Sequence, residues 1–223
     1  MMHFTRYWQI SLSALLAVCL VAPSAVGQTL CRAAEVEELP GFAAQVEASI
    51  ERALAYLRTA HAANGRWADI DGLAALALME RPRHPELRGG PVGFRDLSID
   101  DQVLVRAALR RCIEDYPGFI QAGNGSAYRT GPCLMALGMY RRTGGGNNVG
   151  ALMRVDRAIE RGVESLIAAM DPVHGGMSYN SPGTDLSASH FGLAGLSAVQ
   201  WMAPEAGEAL ARVHRLARLS QEL

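Results

Sequence analysis

Residues Ile50 to Met79 read IERALAYLRTAHAANGRWADIDGLAALALM, and three kinds of segment follow one another within them. Ile50, Leu54 and Leu57, with Val46 just before, recur at helical spacing and lay one apolar stripe along an otherwise polar helix. Gly65-Arg66-Trp67 then breaks the pattern with a glycine turn that carries an aromatic. Gly72 to Met79 is apolar nearly all round and made of Gly, Ala, Leu and Met. Such a helix is buried, and its small side chains let neighbouring helices approach closely.

The same order recurs downstream. Val105, Leu109, Cys112 and Ile113 form a second stripe, Ile159, Val163, Leu166, Ile167 and Met170 a third, and Leu210, Val213, Leu216 and Ala217 a fourth. Small-residue segments fall between them, GPCLMALGMY over Gly131–Tyr140 and SASHFGLAGL over Ser187–Leu196. The turns again pair glycine with an aromatic, as Gly125-Ser126-Ala127-Tyr128 and Gly176-Met177-Ser178-Tyr179, so Trp67, Tyr128 and Tyr179 lie 61 and 51 residues apart. That period predicts stacked helical hairpins, none able to bury its apolar face alone. Arg81–Gly93 and the run TGGGNN over Thr143–Asn148 mark boundaries between hairpins. A last helix starts near Pro204, and no long alternating stretch argues for strands. The expectation is an all-α domain of about three and a half hairpins over residues 45–223.

Composition narrows the chemistry. The 223 residues carry a formal net charge of -1, and all 21 basic side chains are arginine. Near-neutral charge points to no nucleic-acid partner. The lack of lysine removes the GK[ST] phosphate loop and every lysine Schiff base. Gly144-Gly145-Gly146 follows a helix rather than a strand, and G-x-S-x-G is absent, so neither a nucleotide loop nor a nucleophile elbow is present. No metal or other cofactor is expected.

Arg6 is the only formal charge before Arg32, and Ile10–Ala22 is an uncharged apolar run. This is the length of a signal-peptide core and short for a membrane span. Ala25-Val26-Gly27 fits a cleavage site, which predicts a signal peptide over 1–27, a linker over 28–44 and export to a periplasmic or extracellular space, with no membrane span left. Cys19 leaves with the signal. Cys31, Cys112 and Cys133 remain, and Cys112 and Cys133, on successive helices, read either as a disulfide or as small core residues.

One segment carries a family resemblance. Tyr56-Leu57-Arg58-Thr59-Ala60-His61-Ala62-Ala63-Asn64-Gly65-Arg66-Trp67 resembles the QW repeat of the squalene-hopene cyclase and protein prenyltransferase superfamily, with His61 at the glutamine position and Arg52-Ala53 at the basic-Gly start. Arg161-Gly162, Leu166-Ile167 and Gly175-Gly176-Met177-Ser178-Tyr179 look like a second copy, with Asp171 at the glutamine position. The run Asp185–Gln200 is similar to the family's inner helix. The resemblance implies an α/α toroid, with outer and inner helices alternating around a cavity. The family closes its ring with six or seven hairpins, so this chain is expected to be a partial toroid that self-associates or meets a protein partner, with room for an apolar ligand.

The family's catalytic motifs are degraded. Cyclases of this kind use D-x-D-D, and the nearest match is Ser98-Ile99-Asp100-Asp101, which also reads as the capping box of the next helix. The prenyltransferase zinc set is incomplete: no D-x-C occurs, and aligning Asp185 on a family aspartate places Ala188 where a histidine belongs, with His190 two residues on. A different Asp185/His190/Cys133 metal site is imaginable, and His84 and His174 read as turn residues. Asp69, Asp71 and Asp185 precede inner helices and are candidates to converge with Tyr128 and Arg129 on a glycan, as in α/α barrels that act on polysaccharides. Asp71 and Asp185 read equally as helix N-caps. The expected function is a non-catalytic binding or scaffold module. The alternatives are a terpenoid cyclase or prenyltransferase needing a second chain, with Asp100, Asp101, Asp185 and His190 as candidates, and a glycan-binding arc.

Overall fold

The computed structural model describes residues 41–67, 70–81, 90–116, 119, 127–179 and 184–219. The signal segment, most of the linker, Cys19, Cys31, Asp69, His84, Pro117, Gly125 and Ser126 lie outside them. Contacts divide the chain into Met1–Val46 and Glu47–Leu223, and the fold described below is that of the second unit.

The described residues hold seven α-helices, a 3-10 turn over Phe94–Asp96 and no β-strand: α1 (Phe42–Asn64), α2 (Asp71–Glu80), α3 (Ile99–Asp115), α4 (Ala127–Arg142), α5 (Val155–Ala169), α6 (Leu186–Val199) and α7 (Pro204–Leu219). The chain is all-α, and among the described residues no helix is long and apolar enough to cross a membrane. The stripes read from the sequence supply much of the core. Ser98 caps α3, its hydroxyl accepting the Asp101 amide at 3.1 Å, and Val105, Leu109, Cys112 and Ile113 are then buried on one side. In α5 the buried face is Val155, Ala158, Ile159, Val163 and Leu166. The stripes are narrower than their spacing predicts: Val46 and Ile167 are exposed, and in α1 Leu54 alone is fully buried, with Ile50 and Leu57 packed at the core's edge.

The small-residue helices pack side by side, α4 between α2 and α6. Glycine sets how near they come. A Cβ on Gly131 would lie 2.1 Å from the Phe191 carbonyl oxygen, and one on Gly138 would lie 2.7 Å from the Ala198 carbonyl oxygen. On the other side of α4, a Cβ on Gly72 would meet the Cys133 amide nitrogen at 2.8 Å. No side chain larger than hydrogen fits these crossings. The amphipathic helices cover this row: α3 lies against α2 and α4, α5 against α4 and α6, and α7 against α6 and α5.

One boundary differs from the sequence reading. Gly131-Pro132 reads as a helix start, yet α4 begins a turn earlier, at Ala127, and takes Pro132 inside it. Pro132, the sixth residue of the helix, has no N–H for the Tyr128 carbonyl, and its ring crowds that carbonyl. Tyr128 therefore sits in the first turn of α4 rather than in the loop before it.

Candidate functional site

The α1–α2 turn builds a buried polar cluster. Gly65, at φ 67°, ends α1 with its amide on the His61 carbonyl at 2.6 Å. Two residues on, Trp67 is buried, its indole N–H donating to the Leu57 carbonyl at 2.7 Å and its amide donating to Asp71 Oδ1 at 3.1 Å. Asp71 is 2% exposed. It is the first residue of α2 rather than its N-cap, which is Ile70. Its carboxylate is turned onto Arg111 of α3, whose guanidinium nitrogens lie 3.0 and 3.3 Å away. Arg111 also donates to the Gly65 carbonyl at 2.7 Å and faces His61 Nε2 at 3.2 Å, while the His61 and Trp67 rings stand 4.6 Å apart. Burial and the neighbouring Arg111 hold the His61 imidazole below its ordinary range, against a smaller opposite pull from Asp71. Neutral His61 then accepts from Arg111, and the cluster joins α1, α2 and α3.

Asp101 forms a second such joint. Arg58 of α1 donates to both its carboxylate oxygens, at 2.8 and 2.7 Å. That bidentate pair holds the carboxyl below the usual carboxylate range, although burial pushes the other way. Proton donation in a cyclase needs the reverse, an acid kept protonated by its surroundings. Asp100 follows Ser98 in the first turn of α3, and with Arg58, Ser98, Asp101, Val103 and Leu104 it lines an open surface depression.

Around α6 the sequence candidates separate. Asp185 is the N-cap, accepting the Ala188 amide at 2.8 Å. His190 is half-buried on α6. Cys133 meets Cys112, not His190, at 2.8 Å between sulfurs, and no group of three or more His, Cys, Asp or Glu side chains among the described residues is placed to hold a metal. His174, in the turn after α5, is bonded to Asp171. Tyr128 joins neither Asp71 nor Asp185. It packs on Tyr179 at 5.2 Å and edge-on to Phe191 at 5.0 Å, and both tyrosines stay about two-fifths exposed. Arg129, next in the chain, is exposed and has contacts of its own.

The aromatics Trp67, Tyr128 and Tyr179 thus take non-equivalent places: one in the core before α2, one within α4, one on the surface before α6. The residue in Trp67's setting is Met177, fully buried two positions after Gly175, which has φ 72° and bonds the Asp171 carbonyl at 2.9 Å as Gly65 bonds His61. Gly176 is not the turn glycine. The sequence reading also missed both arginine partners. Arg58 offers a signal, having no acid three or four residues away in its own helix. Arg111 offers none, since Glu114 and Asp115 lie within helical reach and it bonds Asp71 instead. No protein family, curated protein or solved structure matches this chain.

Proposed function

We propose that the chain is an exported α/α repeat module of the squalene-cyclase and prenyltransferase type, an open partial toroid that binds an apolar ligand and does not catalyse. The observation that carries this reading is the state of its buried acids: Asp71 and Asp101 are each spent on an arginine that joins two helices. The repeat itself is supported by the turns. Gly65 and Gly175, both at positive φ, each bond the carbonyl four residues back, and each is followed two positions on by a buried side chain, Trp67 and Met177. The surface offered to a ligand is the half-exposed ring cluster of Tyr128, Tyr179 and Phe191, with Leu186 exposed at the start of α6.

The test uses purified chain. Incubation with squalene, and with geranylgeranyl diphosphate and Mg2+ or Zn2+, yields no product, while calorimetric titration with farnesol saturates and weakens at least tenfold in Tyr128→Ala/Tyr179→Ala. Turnover that Asp101→Asn abolishes overturns the reading. The same rings, with Arg129 and Asp185 nearby in the chain, favour glycan binding as the second reading, and hits on a glycan array without farnesol binding select it.

A further inference from the structure

The sulfurs of Cys112 on α3 and Cys133 on α4 lie 2.8 Å apart, and the residues are 0% and 1% exposed. They are free thiols here. A disulfide bond holds its sulfurs at about 2.0 Å, so closure asks for less than about 1 Å of movement. Gly72 of α2 makes the room: a Cβ there would sit 2.9 Å from the Cys133 sulfur. No third metal-ligating side chain joins the pair among the described residues. Nor is the folded pair a reactive one, because burial pushes the Cys133 thiol well above its ordinary range and leaves little thiolate.

We propose that Cys112 and Cys133 close a disulfide that staples α3 to α4 when the chain folds in the presence of a disulfide oxidant. The two thiols give up two protons and two electrons, the Cys112–Cys133 bond forms, and the oxidant's S–S bond takes them up and breaks to two thiols. Exchange needs thiolate, so it takes place before the helices close over the sulfurs. In the cell the bridge rests on the export reading, since an oxidising space is where such bonds persist. In the test tube it does not.

The test refolds the full chain from denaturant in oxidised and reduced glutathione, alkylates in denaturant and digests with trypsin. Cleavage after arginine leaves Cys112 on peptide 112–129 and Cys133 on peptide 130–141. The expected product is these two peptides joined, released by reductant, retained in Cys19→Ser/Cys31→Ser and lost in Cys112→Ser. The oxidised chain melts roughly 5–10 °C above the reduced one. Alkylation of both cysteines in the unreduced sample overturns the proposal, as does Cys133 bonded mainly to Cys31. Fractionating a host that expresses the full chain separates the two readings. A cytosolic, alkylatable chain overturns export, and the refolding result then decides the bridge alone.

Discussion

Asp71 has the features of a catalytic acid in sequence, standing at the start of an apolar helix beside a tryptophan turn, and the features of a structural one in space. Its carboxylate is shared between Arg111 and the Trp67 amide. Breaking a buried pair leaves one charge without a partner, which is costlier than the pair is favourable. Asp71→Asn is expected to destabilise the fold by about 2–4 kcal/mol in urea denaturation, with Asp100→Asn near neutral as the surface control. His61 adds a pH dependence of defined sign. Its folded pKa lies below the unfolded value of 6.5, so the neutral ring's stabilisation is complete above that value and is lost as pH falls through the depressed folded pKa. The urea midpoint is expected to drop between about pH 7 and pH 5, and His61→Gln, which keeps an acceptor for Arg111, is expected to flatten that drop. An unchanged slope in His61→Gln would show that another group titrates there.

At the scale of elements, the contact that decides the architecture is α4 against its neighbours. Hydrophobic burial alone does not set so short a separation; the absence of side chains does. Gly131 sits against the Phe191 carbonyl and Gly195 against the Gly131 backbone, so α6 is held by a strip where nothing projects. Gly131→Ala is expected to cost about 3 kcal/mol, because the atom it would strike is backbone and cannot rotate away. Gly146→Ala, where a Cβ meets nothing within 4 Å, is expected to change the melting temperature little. Gly131→Ala melting with the parent would mean that α4 and α6 stand further apart than described.

For the second unit as a whole, stability is expected to be passed from neighbour to neighbour. α7 covers α5 and α6, and its Ala206, Ala209 and Leu210 pack into the core there. Its Val213 and Leu216 close over the Gly175 turn, and Arg212 ties it to Pro172. Deleting residues 204–223 is expected to uncover that face, to lower the melting temperature by roughly 10 °C or more and to bring on association detectable by light scattering. The Asp71 joint lies among α1, α2 and α3, earlier in the chain, and its loss together with the deletion is expected to add rather than to compound.

Periodicity settled much of this from the chain itself. The helical class, the Ala- and Gly-rich segments that pack as a row and the Ser98 cap are set by residues within one or two turns of each other, and local spacing carries that information. The partners are another matter. Whether Asp71 caps a helix or meets Arg111, whether Tyr128 belongs to a turn or to α4, and whether Met177 or Tyr179 stands where Trp67 stands were decided by contacts between separate elements, Asp71 with Arg111, Tyr128 with Tyr179 and Met177 with Ser189, made only when the helices closed on one another. A carboxylate reads the same in sequence whether it will face a substrate or an arginine, because burial and a distant counter-charge select between those ends and neither is written in its neighbours.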